Sequence, residues 1–116
     1  MSDNLIVNTV RSYSSGLVGR SLNSAREHHF VIDGTNLAEE LTSVEAFLSG
    51  VSSCGVNLVE VGARETGVPL TRTEVTIDGV RLAANAARFE RIDLRFVLTG
   101  PTLEQAQALV DRYQKR

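Results

Sequence analysis

The sequence predicts one α+β domain over residues 1–116 with the element order β-β-β-α-β-β-α. Three observations predict it. Residues 5–33 and 72–99 read as blocks of strands separated by turn residues. Two other stretches open on capping boxes, Thr42-Ser-Val-Glu45 and Thr102-Leu-Glu-Gln105, and continue with apolar residues at three- and four-residue steps, the period of a helix. A chain of 116 residues and 12.6 kDa can bury one ordinary core and is too short for two full domains.

Residues 5–13 are expected to form the first strand, Ser14-Ser15-Gly16 a turn, and residues 17–22 the second strand. Asn23-Ser24 breaks the run before a third strand at 25–33, closed by Asp33-Gly34. Residues 34–41, with Glu39 and Glu40, have no strong period and form a loop. The first helix starts at Thr42 and runs to about Glu65. Val44, Phe47, Leu48, Val51, Cys54, Leu58 and Val61 make its apolar stripe. Its middle, Ser49-Gly50-Val51-Ser52-Ser53-Cys54-Gly55, is poor in helix propensity, each glycine costing about 1 kcal/mol relative to alanine. Burial offsets that cost: small residues let another backbone approach, which puts this helix at the centre of the protein or of a dimer. Gly67 and Pro69 end it. Residues 72–78 alternate with Val75 and Ile77 on one face, and 89–99 alternate through Ile92, Leu94, Phe96 and Leu98; the two should pair antiparallel. Gly100-Pro101 stops the second of these strands. The last helix carries Leu103, Ala106, Leu109, Val110 and Tyr113 on one face.

Lys and Arg number 12 against 14 Asp and Glu, for a net charge of −2, so no global positive field gathers phosphates and nucleic acid is not an expected partner. The N-terminal residues lack the basic start and apolar stretch of a signal peptide, and no apolar run reads as long enough to span a bilayer. A soluble, cytoplasmic protein without membrane contact is the expectation.

Cys54 is the single cysteine and there are two histidines, so neither an intramolecular disulfide nor a zinc cluster of the usual spacing can form; no cofactor or metal is expected. Cys54 is an inert core thiol, a reactive nucleophile or an intermolecular partner. Reactivity requires a nearby cation that keeps the sulfur as thiolate. Arg20 and Arg26 fall on predicted strands that could pack over the helix; the alternative for each is a solvated surface position. His28 and His29 are adjacent and point to opposite faces of a strand, so they cannot chelate one metal from one side. One is expected to be packed and the other partly exposed, or one lines a pocket above Cys54. Glu45 is foremost a capping residue. Nine positions before Cys54, it lies on roughly the opposite face of a straight helix.

The stretch from Arg26-Glu-His-His to Asp33, the connection through Glu39-Glu40, and Thr42-Ser-Val-Glu-Ala-Phe-Leu-Ser-Gly-Val-Ser-Ser-Cys54 together resemble the OsmC/Ohr superfamily, the osmotically inducible and organic hydroperoxide resistance proteins. The segment from Ala63 to Pro69, the later strand pair and Gly100-Pro-Thr-Leu-Glu-Gln105 are similar to it too, so the resemblance covers nearly the whole chain. It implies an OsmC-like α+β fold, an intertwined homodimer with the cysteine-bearing helices central, and thiol chemistry on hydroperoxides. In that chemistry a mid-helix cysteine, matched by Cys54, attacks the O–O bond and becomes sulfenic acid. An arginine from the N-terminal strands, either Arg26 or Arg20, and a glutamate near the helix start support the thiolate. Glu45 matches the acidic position of the general OsmC-like branch; the Ohr branch uses the position one earlier, where this chain has Val44. The family's second cysteine, usually followed by proline after the last long helix, does not occur within these 116 residues. Either the chain continues past Arg116, or turnover draws on an external thiol to reduce sulfenylated Cys54.

Two functions are therefore expected. The first is a thiol-dependent peroxidase acting on a small organic hydroperoxide, with Phe30, Phe47, Val51 and His28 as pocket residues at a dimer seam. The second is a non-catalytic dimeric module whose thiol is structural and whose groove takes a small apolar ligand or a protein partner.

Overall fold

The computed structural model describes residues 4–115 and has the expected element order: β1 (Arg11–Ser14), β2 (Arg20–Ala25), β3 (His28–Asp33), α1 (Ser43–Thr66), β4 (Arg72–Val80), β5 (Arg91–Thr99) and α2 (Leu103–Gln114). The fold is α+β, and the chain divides into two compact units, Met1–Ala46 and Phe47–Arg116.

In the first unit β1, β2 and β3 form an antiparallel meander in that order. The first strand is shorter than the sequence predicts. Arg11 faces Ser24, and β2 ends at Ala25, so the register leaves no ladder partner in β2 for the residues before Val10. Leu5, Ile6 and Val7 are instead 82%, 92% and 76% exposed. Asn23 and Ser24, expected to break the run, belong to the sheet and pair with Phe30 and His29. The turn lies two residues further on, at Arg26-Glu27, where Arg26 takes a positive φ of 57°. The β1–β2 connection also extends past the predicted turn to Gly19. It is held by the Ser15 hydroxyl, which donates to the Arg20 carbonyl at 2.8 Å and accepts from the Leu17 N–H at 3.1 Å.

The start of α1 forms as its motif requires. The Thr42 N–H donates to Glu45 Oε1 at 2.9 Å, and the Glu45 N–H donates to Thr42 Oγ1 at 3.2 Å. Both donors would otherwise be orphaned at the helix end. At 24 residues, α1 is long and apolar enough by length and composition to cross a bilayer, against the sequence expectation. Here it serves as a packing helix, burying Gly55, Val59, Gly62 and Ala63. That stripe is displaced from the predicted one: Cys54 is exposed, one position away from buried Gly55.

The core of the second unit is Val59, Ala63 and Leu109, packed round by Val68, Leu70, Phe96, Leu98 and Tyr113. β4 and β5 pair antiparallel over their full length, from Arg72↔Thr99 to Val80↔Arg91. Ile92, Leu94, Phe96 and Leu98 of β5 are half-buried while the residues between them are exposed, the alternation expected of a sheet covered on one face. Gly100 turns the chain out of β5 at φ 116°, with its Cα so close to the Pro69 carbonyl that a Cβ would sit 2.2 Å from that oxygen; only glycine fits. Thr102 then caps α2 through a reciprocal box with Gln105.

Candidate functional site

The two units hold two different polar centres. In the first, Arg20 on β2 and Asp33 on β3 are direct partners across the sheet. Arg20 Nε donates to Asp33 Oδ1 at 2.7 Å and Nη2 donates to Oδ2 at 2.9 Å, a two-pronged pair; Nη2 also reaches Glu39 Oε1 at 2.7 Å. The Asp33 side chain is fully buried. Its Oδ2 also accepts the backbone N–H groups of Glu39 and Glu40, at 3.1 and 2.9 Å. The Arg20 guanidinium, aided by those N–H groups and opposed by burial, holds the Asp33 carboxyl well below the usual carboxylate range. Asp33 and Glu39 in turn raise Arg20 above the ordinary arginine value. Of the four hydrogen bonds to this carboxylate, the two from the Glu39 and Glu40 N–H groups fasten the 34–41 connection to the sheet, just ahead of the Thr42 cap. The sequence showed Asp33 only as a strand-ending residue beside glycine. Its burial could not be read from the residues.

In the second unit Cys54 lies on the exposed side of α1. It lines a shallow open groove of about 570 Å³ with Leu58 of α1 and Tyr113 and Gln114 of α2. Phe47, Val51 and Cys54 are spaced i, i+4, i+7 and so share one helix face, with Leu58 one turn beyond. Phe47 is 54% exposed even though it stacks on Phe89, with ring centroids 5.9 Å apart. α1 is thus apolar on two sides. One side packs on α2 and β5; the other, bordered by the end of α2, leaves Phe47 and Cys54 exposed and Val51 and Leu58 half-buried. A larger depression of about 670 Å³ lies along α2 beside Leu103, Glu104, Gln107, Ala108 and Asp111. It offers two carboxylates, from Glu104 and Asp111, whereas the Cys54 groove offers a thiol.

The remaining predicted site residues are not gathered in one place. Arg20 and Arg26 sit at opposite ends of β2, roughly 20 Å apart at strand rise. Arg26 is not on a strand as expected but in the exposed hairpin turn, because the two-residue loop needs a positive φ there. His28 and His29, at the start of β3 beside the exposed hairpin turn, are both exposed, so neither is the packed histidine expected. Phe30 is 41% exposed and lines a depression of about 220 Å³ with Tyr13, Leu22, Asn23, His29 and Val31. Its neighbour there is His29 rather than His28. The Glu45 carboxylate is spent on the helix cap. Among the described residues no group of three or more His, Cys, Asp or Glu could hold a metal ion.

With this geometry in hand, comparison with known proteins decides the family. The sequence profile of OsmC-like proteins matches residues 34–116. The chain belongs to the OsmC-like family. No curated protein sequence matches it significantly. Among solved structures, an OsmC-like protein from Mycoplasma pneumoniae superposes with a TM-score of 0.83 at 13% identity, over 96% of this chain and 82% of that one. An organic hydroperoxide resistance protein OsmC from Legionella pneumophila gives 0.71 at 14% identity, over 97% and 85%. The organic hydroperoxide resistance protein OhrB of Bacillus subtilis gives 0.66 at 16% identity, over 97% and 86%. At these identities the likeness establishes the OsmC-like fold.

Proposed function

We propose that this OsmC-like protein takes part in peroxide defence, reducing organic hydroperoxides with Cys54 as nucleophile, and that it works as a cytoplasmic homodimer. The exposure of Cys54 in an apolar groove carries the reading, since a core thiol would be sheltered. The names of the Legionella and Bacillus relatives, organic hydroperoxide resistance proteins, support the substrate class. The open face of Phe47, Val51 and Cys54 suits an apolar substrate tail and a second copy of the chain.

In the reaction the thiolate attacks the terminal oxygen of R–O–OH, the O–O bond breaks, and sulfur becomes sulfenic acid while the alkoxide leaves and takes a proton. A small external thiol then attacks the sulfenic sulfur, releasing water, and a second thiol frees Cys54 as the disulfide of the reductant departs. Of the two arginines expected as supporting cation, only one has its charge uncommitted. Arg20 is already neutralised by Asp33 and Glu39, whereas Arg26 has no acidic partner among the described residues. Glu45 acts by fixing the start of the helix that carries the thiol.

The deciding experiment is consumption of cumene hydroperoxide with dithiothreitol present. The wild-type protein should turn over, and Cys54→Ser should not. Peroxide without reductant should stop after one equivalent and leave a sulfenic acid that dimedone traps.

One observation favours a second reading, a dimeric module that binds an apolar ligand without chemistry: neither lysine nor arginine lines the Cys54 groove. Slow labelling of the native thiol by iodoacetamide, together with no peroxide consumption, would select it. Sedimentation showing only a 12.6 kDa species at micromolar concentration would remove the dimer from either reading.

A further inference from the structure

The groove contains a polar group that the reaction above does not use, the phenol of Tyr113. Its ring packs against Phe96, with centroids 5.4 Å apart and planes tilted by 58°. It also lies over Gly55, the residue after the thiol: a Cβ at Gly55 would be 3.7 Å from Tyr113 Cζ, the carbon that bears the hydroxyl, and 3.4 Å from the Phe96 ring edge. The small residue at position 55 therefore leaves room for the Tyr113 ring to pack against α1 next to the residue that carries the thiol. Tyr113 and Cys54 line the same groove. Among the described residues the phenol hydroxyl has no hydrogen-bond partner, so its donor is unspent. The ring's apolar body is fixed by Phe96 and Leu109 is in the same core cluster, which holds the hydroxyl on a packed element rather than on a loop.

We propose that Tyr113 is a catalytic residue of this site, donating its hydroxyl proton to the leaving oxygen of an alkyl hydroperoxide; this rests on the peroxidase reading of Cys54. Attack by the thiolate on the terminal oxygen forms the S–O bond and breaks the O–O bond, so the alkyl-bearing oxygen departs with the electron pair. The balance is thiolate plus R–O–OH plus one proton giving sulfenic acid plus R–OH. Tyr113 supplies that proton and recovers one from water. An alkoxide is a poor leaving group, and a donor in the same groove can act where charge develops in the transition state. The assignment also sets a substrate preference: the hydroxyl matters for alkyl hydroperoxides, whose leaving group needs a proton, and little for peroxyacids, which release a carboxylate.

The test compares wild-type protein with Tyr113→Phe, which keeps the ring against Phe96 and Gly55. Three second-order rates of Cys54 are measured by stopped flow: with cumene hydroperoxide, with peracetic acid and with iodoacetamide. The expected result is about a tenfold loss with cumene hydroperoxide, the size of one lost hydrogen bond. The other two rates stay within about twofold, and the unfolding midpoint does not move. Equal rates for both proteins with cumene hydroperoxide would overturn the proposal, as would equal slowing with all three reagents, which would mark a packing role. If wild-type Cys54 is alkylated yet reacts with neither peroxide, the peroxidase reading itself fails and takes this assignment with it.

Discussion

The two polar centres of this chain differ in how fully their hydrogen-bonding capacity is used. Asp33 is buried, yet both its oxygens are engaged by Arg20, and Oδ2 also accepts the Glu39 and Glu40 N–H groups. Nothing remains for a ligand. At the Cys54 groove the thiol is exposed and the phenol of Tyr113 beside it keeps its donor. A saturated buried charge is a fastening, because breaking any bond strands a group that water cannot reach. An exposed thiol beside a half-buried phenol with an unspent donor stays available to a ligand. The contrast separates a structural charged cluster from the groove in which the proposed chemistry would take place.

Cys54→Ser should give the largest effect, abolishing peroxide consumption by at least about a thousandfold while leaving the unfolding midpoint within about 2 °C, since an exposed side chain adds little to the core. A large drop in the midpoint would show that the thiol is structural and erase the contrast. Asp33→Ala should do the converse. It removes both Asp33 bonds from Arg20, leaving it only Glu39, and strands two backbone donors, so the midpoint should fall by more than about 10 °C, read by circular dichroism. Because the folded state holds the Asp33 carboxyl low, its contribution is fully present above the unfolded value of roughly 3.9 and is lost as pH falls from there toward the folded value. The gap between wild type and Asp33→Asn should therefore be flat from pH 8 to 5 and narrow only below about pH 4. A gap that closes near neutrality would assign the stabilisation to another group.

Smaller effects sharpen the frame around the groove. Val59→Ala removes two methyl groups from a side chain with no exposed surface and should cost about 2 kcal/mol in urea unfolding. Thr102→Ala removes the acceptor for the Gln105 N–H at the head of α2 and should cost about 1 kcal/mol. That variant also tests whether α2 holds Tyr113 in place: if it does, the cumene hydroperoxide rate of the folded variant falls along with its stability.

Much of this was legible in the residues. Both capping boxes name their own partners within four positions, and the 2- and 3.6-residue periods fix the type and order of the elements, because such patterns depend only on neighbours along the chain. The family resemblance rested on the same local stretches, and Cys54 stood out as the only cysteine. Local pattern could not show where β1 begins, since that depends on how far β2 extends to pair with it. The hairpin turn fell at Arg26-Glu27 for a similar reason: Asn23 and Ser24, turn residues by propensity, found partners across the sheet.

The sequence by itself determined the element order, the helix starts and the single cysteine, all set by spacing and side-chain chemistry. Only the tertiary structure decided which side of α1 is buried, because Phe47, Val51 and Cys54 are as apolar as the Gly55, Val59 and Gly62 side, and the packing of α2 and β5 chose between them. It alone brought Asp33 to Arg20 and Tyr113 to Gly55, over 13 and 58 residues of chain. Contacts between distant residues form when packed elements exclude water around them, and no neighbour in the sequence announces that.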